Sequence, residues 1–257
     1  MTNKILYLTR HAQAYHNVAE DYSIPDAELT PLGREQSAAL RRDTEGTFQK
    51  EADLIVSSPL RRPMQTALIG YAPLIERLTK EENKPMILLP ELQEVNDLPC
   101  DTGSSLASLS SNPEFSSLSF SSLSPSPLPA HWLGAPSWTS KQGIFDPARV
   151  GERVKWVRKW LKKREEERIV VVAHGDVLRW LTATGDPKEA QKPWANAEVR
   201  AFRFANNGDD DEAYLVPATD ISLTAGTPSS EKKQGGEEEE TVVKEGEEEP
   251  TSSELKN

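Results

Sequence analysis

Short apolar runs alternate with longer amphipathic ones along this chain, and that alternation predicts a fold before any single residue does. KILYLT (4–9) reads as a short buried strand. LTPLGREQSAALRRD (29–43) offers Thr30 as an N-cap and Pro31 at the first helical position, with apolar residues at helical spacing behind them, and so predicts a helix. DLIVSS (53–58) is a second strand; it runs out into small polar residues and then into PLRRPMQTALIGYAPLIERL (59–78), which reads as a second helix. MILLP (86–90) is a third strand. In RVKWVRKWLKKREEE (153–167) Val154, Val157, Trp160 and Leu161 fall on one helical stripe, and RIVVVAHGDVLRWLTATG (168–185) reads as strand, turn, helix. VRAFRFA (199–205) is a further strand with AYLV (213–216) as its expected partner. Strands alternating with helices predict an α/β domain, a three-layer α/β/α sandwich around a mostly parallel sheet. Sites in such folds gather beyond the carboxyl ends of the strands.

Two stretches break the alternation. Between Thr102 and Ser140 the texture turns to Ser, Leu and Pro, with no Lys or Arg, and the strand and helix signals resume afterwards. That predicts a long surface insertion within one domain, with Phe115, Phe120, Trp132 and Trp138 available to cover a substrate. From Asn207 onward there are fifteen Asp or Glu against four Lys, which accounts for the whole net charge of −11 and leaves residues 1–206 neutral. Acidic runs among Gly, Ser, Thr and Pro cannot bury enough apolar surface to offset chain entropy. The expected organisation is therefore a domain over 1–220 and an acidic disordered tail over 221–257.

Charge and cysteine usage narrow the function classes. A neutral domain with an acidic tail lacks the basic footprint of a nucleic-acid binder. The one cysteine, Cys100, allows no intramolecular disulfide. The N-terminal apolar run is too short for a signal peptide, and no stretch approaches membrane-spanning length. A soluble protein of the cytosol, or of cytosol and nucleus, is expected, with no membrane or nucleic-acid partner; oligomeric state is not legible.

The chemistry sits at three strand ends. Arg10 and His11 follow the first strand, Arg61 and Arg62 follow the second, and His174 follows IVVVA at the head of a helix. On one rim, two imidazoles and two guanidiniums form a pocket for a dianionic tetrahedral group, because forked guanidinium donors match phosphoryl oxygens and stay charged. A neutral imidazole can attack phosphorus, and fixed cations stabilise the equatorial oxygens. Competing motifs fail. After Cys100 a C-x5-R cysteine phosphatase needs Arg at 106, where Leu106 stands, and neither a Walker P-loop nor H-E-x-x-H is present. His11 and His16 are poorly spaced as metal ligands, and His16 is expected on the rim.

Taken in order, LTRHAQAYHN, SSPLRRPMQTA, LQEVNDLPCDTG and VVVAHGDVLRWLT resemble the histidine phosphatase superfamily, and within it the phosphoglycerate-mutase-like branch common in fungi. The likeness runs from about Lys4 to Phe204. It implies a phosphoglycerate-mutase-like fold, His11 as the nucleophile, and Arg10 and Arg62 holding phosphoryl oxygens. His174 would be the second histidine, with Asn17 as a further donor and Arg61 as a helix-surface neighbour. The resemblance also implies a proton donor after the third strand: Glu94 is preferred, with Asp97 and Asp101 as competitors. It implies no metal and no cofactor. Two departures stand out: Ala12 where the family carries Gly, and Pro63 after Arg62. The expected activity is that of an acid-type phosphomonoester hydrolase on a small phosphorylated substrate. The alternatives are a phosphomutase, favoured if Lys141 or Arg34 reaches the pocket, and a non-catalytic interaction module.

Overall fold

The computed structural model describes residues 4–184, 193–205 and 211–224. β1 (Ile5–Arg10) leads through a short helix α1 (Tyr15–Val18) to α2 (Pro31–Thr44) and β2 (Leu54–Ser57). Then come α3 (Arg61–Gly70), α4 (Ala72–Glu81), β3 (Ile87–Leu88) and, in the insertion, α5 (Leu106–Ser111). The chain closes with α6 (Val150–Lys163), β4 (Arg168–Ala173), α7 (Gly175–Thr182), β5 (Val199–Phe204) and β6 (Leu215–Pro217). The six strands lie in the order β3-β2-β4-β1-β5-β6. β3, β2, β4 and β1 run parallel, and β5 and β6 each pair antiparallel with a neighbour.

The period-two pleat divides the strand residues between two cores. Tyr7, Ile55, Val170 and Val172 face one side, where Leu40 of α2, Met64 and Ala67 of α3 and Leu74 and Leu78 of α4 cover them. Leu6, Leu8, Val56, Ile169 and Val171 face the other, covered by Val150, Val154, Val157 and Leu161 of α6 and by Val177, Leu178 and Leu181 of α7. This is the three-layer sandwich the pattern predicts. Among the described residues no helix is long and apolar enough to cross a membrane.

Three expectations change. The helix read over 59–78 is two, α3 and α4, parted at Tyr71, whose backbone leaves the helical region at φ −121°. Gly70 and Pro73 flank the break, and Pro73, lacking an N–H, fits only the first turn of the new helix. The aromatic rings of the insertion, expected to be available to cover a substrate, turn inward instead. Leu109, Phe115, Leu123, Trp132 and Trp138 are buried in the core beside Tyr7 and Val172, with Phe120 packed against them, because large apolar rings contribute most when removed from water. The packed chain also continues past 220: Ile221 and Leu223 lie against the same core, and Thr47 Oγ1 donates to the Leu223 carbonyl. The expected acidic tail lies, from 225 on, outside the described residues.

Candidate active site

Because β1, β4 and β2 are adjacent and parallel, their carboxyl ends share one rim. Arg10 is in register with Ala173, the His11 N–H donates to the Ala173 carbonyl at 2.9 Å, and the Ser58 N–H donates to the Val172 carbonyl at 2.9 Å. The three strand ends therefore deliver His11, His174 and Ser58 side by side, and the His11 and His174 rings stand edge to face with centroids 5.2 Å apart. Both rings are buried, at 2% and 0% exposure.

Local hydrogen bonds fix the tautomer of His11. Its Nδ1 lies 2.7 Å from the Ala12 carbonyl, which only accepts, so the ring proton sits on Nδ1. Nε2 keeps its lone pair, facing the Nε–H of Arg62 at 3.2 Å. Burial, then the charges of Arg62 and Arg10, hold the His11 pKa well below the ordinary range, so the ring is neutral at working pH. His174 is held neutral by burial and by Arg62. Its Nε2 lies 2.8 Å from Ser58 Oγ, and its Nδ1 is buried without a partner.

The two arginines are anchored from behind. The Arg62 terminal nitrogens donate to the Cys100 carbonyl at 2.6 Å and to Asp101 Oδ1 at 3.2 Å, which leaves its Nε toward His11. Arg10 donates one terminal nitrogen to the Trp194 carbonyl, and its Nε is buried without a partner. A buried donor left unpaired costs roughly 1–3 kcal/mol, and an anion among these groups would offset that cost. Arg61 turns away to Glu28, at 2.9 Å, and Asp26.

Glu94 closes the pocket from the loop after β3. α7 begins at Gly175 with no side-chain cap from His174, and Glu94 supplies one: Oε1 accepts from the Val177 N–H at 2.9 Å, and Oε2 faces the Asp176 N–H at 3.4 Å. Burial, then the nearby Asp101 and Asp176 carboxylates, push its pKa up to about 7. Asp101 is committed to Arg62. Asp97 does not line the cavity, whereas Glu94, Asp101 and Asn17 do. The Asn17 amide is engaged within α1, accepting from the Ala14 N–H and donating to His16 Nε2 at 3.0 Å. His16 lines the same cavity. It is buried, 5.9 Å ring to ring from His11, and burial beside the two arginines lowers its pKa to about 3.

The cavity these residues enclose is about 420 Å³, with Tyr22, Leu98, Pro193 and Trp194 also in its wall. Both family departures are accommodated. Ala12 is absent from the positive-φ positions, so its methyl brings no backbone strain, and Pro63 stands in the first turn of α3. Arg34 does not reach the cavity; it is tied to Glu114 at 2.7 Å. Lys141 approaches behind Glu94, with Nζ 3.5 Å from its carbonyl, and does not line the cavity. The contact of Ser58 with His174 and the anchoring role of Asp101 carry no sequence signal of their own.

The family model of the histidine phosphatase superfamily, branch 1, matches residues 6–212. A "Phosphoglycerate mutase-like protein" of Arabidopsis thaliana is 27% identical over 246 residues, covering 80% of this chain and 86% of that protein. The "Probable phosphatase" of Schizosaccharomyces pombe is 33% identical over 104 residues, 40% of this chain and 46% of that one, so the match spans about half of that relative's length. Among solved structures the alpha-ribazole phosphatase from Shigella flexneri superposes with a TM-score of 0.51 at 18% identity, covering 87% of this chain and 98% of its own.

Proposed function

The chain belongs to the histidine phosphatase superfamily, branch 1, and from that premise we propose that it is a phosphomonoester hydrolase working through a phosphohistidine at His11, with Glu94 as proton donor. One observation carries the reading: the neutral His11 presents Nε2 to the anchored Arg62 guanidinium in a cavity that Arg10 also lines, while a carboxyl that binds its proton up to about pH 7 stands in the same cavity.

The steps follow from that arrangement. A phosphomonoester enters with its phosphoryl oxygens on Arg10, Arg62 and His174, and Arg62 Nε exchanges its bond with His11 Nε2 for one to the phosphoryl group. The Nε2 lone pair forms a bond to phosphorus as the ester P–O bond breaks, and the departing alkoxide takes the proton from Glu94. The Glu94 carboxylate then accepts a proton from water as its oxygen attacks phosphorus, the P–N bond breaks, and inorganic phosphate leaves with Glu94 again protonated. The guanidiniums supply fixed positive charge where the equatorial oxygens need it.

Hydrolysis is favoured over phosphoryl transfer within a retained substrate by the pairing of the cationic groups in the cavity wall. A mutase must grip a second anionic group, yet Arg179 at the wall is paired with Asp176 at 3.0 Å and Arg62 with Asp101. Support from the relatives is consistent with phosphatase chemistry in the family.

The test is phosphate release from a panel of sugar, glycerate, nucleoside and aryl phosphates, wild type beside His11→Ala. The wild type is expected to hydrolyse at least one class, and His11→Ala to lose at least about 10³-fold while retaining its circular dichroism. Full activity in a folded His11→Ala would remove His11 as nucleophile. Silence of the wild type on every ester would favour a mutase or a binding module.

A further inference from the structure

The loop carrying Glu94 is gripped from two sides by groups that never touch the cavity. Successive side chains of this loop go different ways. Glu91 and Gln93 turn into the insertion and Glu94 turns into the site. Glu91, 2% exposed, accepts at Oε1 from His131 Nε2 at 2.5 Å and from Trp132 Nε1 at 2.9 Å. Gln93, fully buried, donates to the Trp138 carbonyl at 2.8 Å. From the opposite layer Arg153 of α6, also fully buried, donates to the main-chain carbonyl of Glu94 at 3.3 Å, and Lys141 approaches that same carbonyl.

Arg153 is out of place by packing rules. The buried face of α6 is otherwise mainly Val and Leu, and taking a guanidinium out of water costs several kcal/mol that an apolar residue would avoid. Its charge lies within the field of Glu94, Glu91 and Asp101, and burial brings its pKa down to about 10, so it stays charged. A cation there opposes the carboxylates that crowd Glu94 and holds its peptide in place.

We propose that Arg153 is a positioning residue for the proton donor, and that the 102–140 insertion serves the same end by holding Glu91 and Gln93. The proposal rests on the reading of Glu94 as the acid. Arg153 sets where the carboxyl stands relative to the leaving oxygen and how tightly it keeps its proton.

The experiment compares Arg153→Met, Arg153→Lys and Glu94→Gln in the full chain by kcat/KM on 4-nitrophenyl phosphate and on 2-glycerol phosphate, from pH 5 to 9. A nitrophenolate leaves with little help, whereas an alkoxide needs the acid. A general acid is worth about 10²–10⁴-fold, so Arg153→Met is expected to lose about tenfold or more on the alkyl ester and under about threefold on the aryl ester. Its alkaline limb is expected to move up, since the carboxyl has lost a stabilising cation, and Arg153→Lys is expected to restore the limb. A folded Arg153→Met with the wild-type ratio of the two esters overturns the proposal, as does an equal loss on both esters with an unmoved limb, which marks a structural role alone. If Arg153→Met does not fold, Trp132→Phe and Gln93→Ala decide: a selective loss on the alkyl ester supports the clamp, and the wild-type ratio in both overturns it. Glu94→Gln separates the two readings. If it shows no selective loss the acid assignment itself fails; if it does and Arg153→Met does not, only the positioning role falls.

Discussion

At the scale of single residues, the strand ends announced His11, His174, Arg10 and Arg62, because charged and polar groups there must interrupt an apolar run and the interruption is visible in sequence. What holds them was not visible. Arg62 is fixed by Asp101, thirty-nine positions away, and His174 by Ser58 across 116. Those pairs exist only once the sheet order is set. The proposed preference for Glu94 over Asp101 likewise rests on contacts the sequence does not show: Asp101 lies 3.2 Å from Arg62 and Glu94 caps α7. Glu94 carries a stability consequence. Its folded pKa of about 7 exceeds the ordinary 4.5, so the native state holds that proton more tightly, and the stability this provides is complete below about pH 4.5 and lost as pH rises to about 7. Glu94→Gln is expected to melt several degrees above wild type at pH 8, from a ceiling of about 3 kcal/mol, and alongside it at pH 4.5. Equal melting at both values would contradict the assignment. With Glu94 as the proposed acid, the alkaline limb of the wild type is expected near pH 7.

At the scale of elements, α2 shows how packing serves the site. Thr30 caps it, accepting from the Gly33 N–H at 3.0 Å, and its own N–H donates to the Gln13 carbonyl. Helix and nucleophile loop meet so closely that a Cβ on Gly33 would stand 2.0 Å from the Gln13 carbonyl oxygen. Gly33→Ala is therefore expected to cost about 1–3 kcal/mol by overpacking and to lower kcat by displacing the backbone two residues from His11. Gly46→Ala, with nothing within 4 Å of the added methyl, is the control and should leave both unchanged. Thermal melting and phosphate release measure the pair. Capping residues made α2 legible in sequence. The Tyr71 break was not legible, since a helical pattern runs straight through it. Nor was the inward turn of Trp132 and Trp138, since a Ser- and Pro-rich composition reads as surface wherever its aromatic rings end up.

At the scale of the whole molecule, alternation of strand and helix predicted the layers and the parallel sheet, because burying both faces of a sheet leaves few other solutions. The central claim is also at this scale. A sheet that brings three strand ends to one rim, and sets His11, Arg10, Arg62 and Glu94 in one cavity, underlies the proposed covalent phosphoenzyme on His11. The most direct measurement is rapid quenching of the wild type with a turned-over phosphomonoester, followed by peptide mass mapping of the bound phosphate. Stoichiometric phosphate on His11, absent from His11→Ala, is the predicted result. Steady turnover with no phosphate on His11, or phosphate on His174 in its place, would contradict the account.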